Sequence, residues 1–351
     1  MLPVLIGITV IVVLVAAAYI YRKSRQRRIA RTLDATIVEG RYVPAGGVDQ
    51  WIQIRGTRRE NPILLIVGGS GLTMEPFTTE FREWEQHFTV VFWDRRDVGR
   101  TRARNGKAGN ETWTFERLAG DGIEIIEFLC GHLGHEKVVL VGQSQGSIVG
   151  VTIAQLRPDL LHAYVGTGQI ADMAGNEEQT HGLALERARA AGNSKAVKAL
   201  ERYRPPFRDA RSWINKQRFS MATDPEAQAF QRKAPAMVLF WPHYGLGDIY
   251  RSFLGALFLP PRLFEGTMAA TPRTLGTRFE VPILLLHGED DLHTLPSLAG
   301  EYLDAIEAPD KQFVSLPGTG HMSLIAHPGQ FLRELLTRLD LERTRPGRAG
   351  P

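Results

Sequence analysis

The sequence predicts an α/β protein: a mostly parallel sheet with helices on both faces, interrupted by a helical cap and preceded by one N-terminal transmembrane helix. Three observations predict it. Strand-like apolar runs alternate with helical stretches from residue 49 to 168 and again after Pro282, the rhythm of a sheet whose crossover helices cover its faces. Between them, Gln169 to Phe279 carries charged helical stretches and proline breaks without a buried-strand run. At the N-terminus, Leu2 to Tyr21 contains no charged residue.

That first stretch, LPVLIGITVIVVLVAAAYIY, would rise about 30 Å as a helix, the hydrocarbon thickness of a bilayer. Arg22, Lys23, Arg25, Arg27, Arg28 and Arg31 follow it, with no acidic residue before Asp34 and no lysine or arginine ahead of the apolar run. The positive-inside tendency therefore leaves the rest of the chain facing the cytoplasm. A cleaved signal peptide is the alternative, with Ala16-Ala17-Ala18 as small residues, but the basic n-region of such peptides is missing. The six cations exceed the net charge of +4, so the remaining body is slightly acidic. Nucleic-acid binding is not indicated; the basic run reads as a topology signal that can also touch anionic lipid headgroups.

The elements follow in order. Asp49 to Arg55 (DQWIQIR) alternates polar and apolar residues, as a strand near a sheet edge does, and Pro62 to Val67 (PILLIV) is continuously apolar, as a strand buried on both faces is. Then come helix-like Phe77 to His87, strand Thr89 to Trp93, helix Phe115 to Leu133, strand Lys137 to Val141, helix Ser147 to Leu156 and a short apolar run, Leu161 to Val165. After the helical insertion, strand Ile283 to His287, helix Leu298 to Ile306, strand Gln312 to Leu316 and helix Gln330 to Leu339 restore the pattern. The chain divides into an anchor (1–21), a basic juxtamembrane linker (22–48), a first core part (49–168), a helical cap (169–279), a second core part (280–341) and a disordered tail (342–351). The single cysteine, Cys130, lies in an apolar helical pattern and reads as core packing.

One motif carries chemistry. With 35 glycines in the chain, Gly142-Gln-Ser144-Gln-Gly146 alone is a weak signal, and its setting is what gives it weight. An apolar strand ends in Gly142 and an apolar helix starts after Gly146, which puts Ser144 on a sharp strand-to-helix turn with its hydroxyl projecting toward a helix N-terminus. A hydroxyl at its ordinary pKa needs a general base and a group that orients that base. Candidates follow strands at the same sheet edge: Asp290 and Asp291 in GEDDLHTLP, and His321 in Gly318-Thr319-Gly320-His321. Gly68-Gly69-Ser70-Gly71 follows the strand PILLIV, so the N–H groups of Gly69 and Gln145 are the expected oxyanion donors. No His-Glu-x-x-His pattern is present, so no metal is implied. His293 lies near the acid, but His321 sits in the better-matched loop.

The chain resembles an α/β-hydrolase of the proline-iminopeptidase-like branch. The resemblance rests on GGSG (68–71), VVFWDRRDVGRT (90–101), LVGQSQGS (140–147), HAYVGTGQ (162–169), LLLHGEDD (284–291) and GTGHMSLIAHP (318–328). It implies the α/β-hydrolase fold from about residue 49 to 340 and assigns the acid to Asp291 rather than Asp290. It further implies a Ser144-His321-Asp291 serine hydrolase that acts on a small-molecule ester or amide through an acyl-enzyme, without a cofactor. Three departures stand out: Val67 opens the glycine loop where the family has His, Asp94-Arg95-Arg96-Asp97 replaces Asp-Gln-Arg-Gly, and Gln145 replaces a tryptophan often found after the nucleophile. An aminopeptidase also needs acidic cap residues for the substrate amine; Glu177 and Glu178 are candidates, with exposed helix-surface glutamates as the simpler reading. The rival functions are an iminopeptidase-type aminopeptidase, C–C bond hydrolysis or perhydrolysis, and a non-catalytic small-molecule-binding protein of the same fold. The aromatic stretch Leu239 to Leu259 suggests an apolar pocket for lipophilic esters.

Overall fold

The computed structural model describes residues 2–33, 35–69, 71, 73–96, 98–106, 113–250 and 261–339. Ser70, Asp97, residues 251–259 of the aromatic stretch and the tail at 342–351 lie outside them.

Eight strands form one sheet: β1 (Ile37–Ala45), β2 (Val48–Gly56), β3 (Ile63–Val67), β4 (Thr89–Asp94), β5 (Val138–Gln143), β6 (Leu161–Thr167), β7 (Ile283–Gly288) and β8 (Lys311–Leu316), in the order β1-β2-β4-β3-β5-β6-β7-β8. β2 pairs antiparallel with both β1 and β4, and every pairing from β4 through β8 is parallel. Apolar side chains explain why the centre is buried twice over. In β3, Ile63, Leu65 and Val67 enter one core cluster while Leu64 and Ile66 enter another on the opposite face, the period-2 alternation of a strand covered on both sides.

After α1 (Leu2–Ala30) and the short α2 (Gly99–Asn105), helices supply the two covers. α3 (Phe115–Leu133) and α4 (Gln145–Leu156) send Leu118, Ile125, Leu129 and Val149 to the first cluster, and Cys130 joins them in the core. The helix Pro328–Arg338 sends Phe331 and Leu335 to the second, beside Phe77, Phe81 and Trp84. α3 is stopped at both ends as its sequence dictates. Thr114 caps its first turn through Arg117 N–H, and Gly134 closes it in the left-handed conformation at φ 77°.

Two expectations need correction. The segment assigned to a basic linker, 22–48, is largely ordered: α1 (Leu2–Ala30) continues through the basic cluster, and residues 37–45 form the edge strand β1. β2 is therefore second from the edge. Its partner was hidden because Pro44 and the charged Glu39 and Arg41 read as loop, yet an edge strand tolerates proline. A two-residue turn joins the pair, Ala45 opposite Val48, with Gly46 at φ 61° and Gly47 at φ 76°, the conformation that a type I′ hairpin turn requires. The helix expected at 77–87 is instead two 3₁₀ segments, Glu75–Phe81 and Trp84–Gln86.

The described part of the insertion is mainly helical. Its main helices are α5 (Met173–Ala190), α6 (Ser194–Arg202), α7 (Ala210–Met221) and α8 (Pro225–Phe240), followed by the shorter Pro261–Met268 and Pro272–Leu275. α1 meets this insertion. Arg22 donates to the carbonyls of Leu239 and Tyr244 at 2.9 and 2.6 Å, and Gln26 donates to that of Trp241 at 2.7 Å.

Candidate active site

β5 ends at Gln143 and α4 begins at Gln145, which leaves Ser144 at the junction with φ 53° and ψ −125°. Among the described residues no other non-glycine has a positive φ, a conformation that costs about 1–3 kcal/mol and persists only where the surroundings enforce it. They do so here through short contacts. Ser144 N–H donates to the Thr167 carbonyl at 3.0 Å, and the Ser144 carbonyl accepts from the N–H and hydroxyl of Ser147 at 2.8 and 2.6 Å. Gly146 passes so close to β3 that a Cβ there would lie 2.1 Å from the Val67 carbonyl oxygen. Glycine at this position is a packing requirement.

Gly69, just past β3, borders the serine: a Cβ added to it would lie 3.2 Å from Ser144 Cβ and 3.7 Å from its Oγ. Gln145 opens α4, so its N–H belongs to the positive end of the helix dipole. Its buried side chain donates to Thr267 Oγ1 of the cap at 2.8 Å.

The acid and the histidine meet between β7 and β8. His321 Nδ1 lies 2.9 Å from Asp291 Oδ2. That oxygen also accepts from Thr294 Oγ1 at 2.8 Å, while Oδ1 accepts the N–H groups of His293 and Thr294 at 2.7 and 2.9 Å. Asp290 is exposed and joins the loop through its backbone, its N–H donating to the Thr319 carbonyl at 2.9 Å. With Nδ1 donating to Asp291, neutral His321 keeps Nε2 as its acceptor. The His321 ring rests on Gly168, where a Cβ would come 2.9 Å from Cε1. Gly168 directly follows Thr167, the residue that takes the Ser144 N–H, so the serine turn and the histidine converge on one dipeptide.

Electrostatics separates the three groups around this loop. Burial opposes ionisation of Asp291, but the positive potential of His321 and the hydrogen bonds from His287 and His321 outweigh it and hold the carboxyl well below the usual range. Burial likewise disfavours a charged His321, yet the Asp291 charge and hydrogen bond, with Glu226 and Asp224 further out, raise its pKa above the ordinary value. His293, whose ring centroid is 5.0 Å from that of His321, is pushed down to about 3 by burial and by His321. It is neutral at any ordinary pH.

The cap candidates separate as well. Glu178 is exposed. Glu177, expected on a helix surface, is buried instead: it pairs with Lys216 at 2.6 Å and accepts from Trp213 Nε1 and Gln217 Nε2 at 2.9 and 2.7 Å. Asp94 holds loops, accepting from Thr73 Oγ1 and Arg100 N–H at 2.6 and 2.8 Å, and burial raises its pKa to about 6.

Sequence reasoning missed several neighbours of the site. Asn176 bridges the cap to the acid loop, donating to the His293 carbonyl and accepting from Leu295 N–H at 2.7 and 2.8 Å. Glu226 of α8 accepts the N–H groups of Gly320 and Met322, both at 2.9 Å. The local signal at Glu226 was only that of a helix start, Asp224-Pro225-Glu226, and nothing in the sequence connects it with a loop 94 residues away.

Comparison with known proteins agrees with this architecture. The chain is 26% identical over 301 residues to the probable aminopeptidase YbaC of Bacillus subtilis (strain 168), covering 83% of this chain and 92% of that one. It is also 26% identical over 325 residues to the 2-hydroxy-6-oxo-6-(2'-aminophenyl)hexa-2,4-dienoic acid hydrolase of Metapseudomonas resinovorans, covering 92% and 95%. Among solved structures, a bacterial membrane phospholipase A superposes with a TM-score of 0.63 at 16% identity, covering 98% of this chain and 99% of that one, a likeness of fold. The model of the alpha/beta hydrolase family matches residues 63–334, and with the strand order and the serine turn already described, the chain belongs to that family.

Proposed function

We propose that the protein is a membrane-anchored serine hydrolase that cleaves an ester or amide bond through an acyl-enzyme. The observation that carries this reading is Ser144, held at φ 53° on the strand-to-helix turn, together with the His321–Asp291 pair that rests on the neighbouring Gly168. In the proposed reaction His321 Nε2 takes the Ser144 proton as Oγ attacks the carbonyl carbon. Asp291 stabilises the imidazolium that forms, and the Gly69 and Gln145 amides receive the oxyanion. Collapse of the tetrahedral intermediate expels the leaving group, which takes the proton from His321, and a water activated by the same base releases the acid.

Ester chemistry is favoured over aminopeptidase chemistry by the state of the cap acids. Glu177 is already neutralised by Lys216, so it offers no free charge to a substrate amine. The relatives are named for different substrates, so kinship leaves the acyl group open and direct assay decides it. The test is labelling with a fluorophosphonate probe, followed by p-nitrophenyl esters of graded chain length beside proline and alanine anilides. The expected result is labelling of the wild type, none of Ser144→Ala, and turnover of esters above anilides; equal labelling of both forms would move the nucleophile elsewhere.

The anchor rests on α1. Within Ile6–Ala30 an 18-residue window has a mean hydropathy of 1.8 and only 6% of it is buried, an apolar surface that water does not favour and a bilayer does. The Arg22 and Gln26 contacts with the cap support a retained helix over a cleaved signal, and the basic cluster supports a cytoplasmic hydrolase. Recovery of the full-length protein in the membrane pellet after alkaline extraction, with a C-terminal reporter active only in the cytoplasm, is the expected outcome.

A further inference from the structure

We propose that Glu226 is a positioning residue for His321, by which the cap holds the general base of the proposed reaction in place; the inference rests on that reading of His321. The two oxygens of this carboxylate straddle the histidine. Oε1 accepts from Gly320 N–H and Oε2 from Met322 N–H, each at 2.9 Å, so the residues before and after His321 are fixed by one side chain from another part of the chain. The fit leaves no slack, since a Cβ on Gly320 would lie 2.7 Å from Glu226 Oε2.

Glu226 is itself anchored. Asp224 caps α8 by accepting the N–H groups of Glu226 and Ala227 at 2.9 and 3.2 Å. One turn further on, Phe230 packs on Phe77 of the core with ring centroids 5.4 Å apart. From the core side, the histidine loop is held by the Asp290 N–H to Thr319 carbonyl bond and by Asp291 on the ring. The base is thus gripped by the core through its ring and by the cap through the backbone of the residues on either side of it. Charge-assisted bonds to a carboxylate are stronger than neutral ones, and a misplacement of a reacting group by about 1 Å costs on the order of 10²-fold in rate.

The grip has an electrical side. The groups facing His321 are Asp291 from its own sheet edge, Asp224 and Glu226 from the cap, and the neutral His293; Glu226 in turn faces His327, whose Nε2 lies 3.2 Å from Oε1. Removing the Glu226 charge lowers the affinity of His321 for its proton, an effect that loss of packing alone would not produce.

The test compares Glu226→Gln, Glu226→Asp and Ser144→Ala with the wild type, full length in detergent, using the fluorophosphonate probe, p-nitrophenyl butyrate turnover against pH, and hydrogen exchange of the segment 318–324. In Glu226→Gln one arm becomes an N–H donor and faces another donor. That variant is expected to lose about 10- to 100-fold in kcat with little change in KM, to shift the acid limb of its pH profile downward and to exchange the Gly320 and Met322 amides faster. Glu226→Asp, which keeps the charge, is expected to hold the acid limb near its wild-type position. Wild-type kcat in Glu226→Gln, or a loss that only tracks the folded fraction with the acid limb unmoved, overturns the inference while leaving the nucleophile reading intact. A wild type that resists the probe as Ser144→Ala does overturns both.

Discussion

The sheet core and the cap differ in the balance of the forces that hold them. In the core, β3, β5 and β7 are buried along their whole lengths, and apolar clusters fill both faces. The cap has a small apolar centre of its own, with Ala184, Ala188, Ala196 and Leu200. It also packs Met173, Trp213, Leu263 and Phe264 into the first core cluster and Phe230 against the second, and to these apolar contacts it adds polar attachments: Asn176 to the acid loop, Thr267 to Gln145, Trp241 Nε1 to Glu75 at 2.9 Å, and Glu226 to the histidine loop, with Glu177 and Lys216 paired inside the cap. The core is thus stabilised by area removed from water, which tolerates small shifts. The cap is seated by apolar packing together with directional bonds, most of which end on or beside the loops that carry the site. Complete apolar burial marks the centre of the sheet, and directional bonds to the site loops are concentrated in the cap; the division is one of emphasis.

The sharpest test of that division is Ser144→Ala, expected to cut ester turnover by at least about 10⁴-fold while circular dichroism and the unfolding temperature stay close to wild type. Next comes the cap. Lys216→Met leaves Glu177 buried without its partner and is expected to destabilise by about 3–5 kcal/mol, seen as faster proteolysis or hydrogen exchange of α5 and α7 before the sheet; Lys216→Met with Glu177→Leu should recover much of the loss. If the sheet opened first, the division would fail. In the core, Gly146→Ala drives a methyl into the Val67 carbonyl and is expected to cost about 2–3 kcal/mol, read as a lower denaturant midpoint of the whole protein.

A smaller effect is the pH profile. His321 must be neutral to accept a proton, and its pKa is raised above 6.5. Activity is therefore present above that raised pKa and falls about tenfold per unit as the pH drops below it, so kcat/KM should reach half its maximum above pH 6.5. The smallest expected change is stabilisation by about 1 kcal/mol in Ser144→Gly, because glycine accepts the positive φ that serine resists. An unchanged unfolding temperature in that variant would mean the turn holds no strain.

Legibility followed the same division. Strands such as Ile63–Val67 and Ile283–Gly288 were plain in the sequence because complete burial demands an unbroken apolar run. The loops at their ends put Ser144, Asp291 and His321 on one sheet edge for the same reason, since parallel strands align their C-terminal ends. β1 was not legible: an edge strand needs only one buried face, and Gly40 and Pro44 remove even that pattern. The burial of Glu177 was not legible either, because its partner Lys216 is on another helix and no local rule couples the two. Glu226 looked like any first-turn acid on a helix; its second role depends on a loop that comes next to it only after folding.

The straddling bonds from Glu226 to Gly320 and Met322 also constrain how anything enters. A motion that lifted α8 off the sheet would break both bonds and let the histidine loop slacken, so wide opening and idleness would be one event. A substrate that slips in beside α8, with that helix still seated, would meet a base already set for reaction. On the proposed reading, admission and readiness would thus be linked through a single carboxylate.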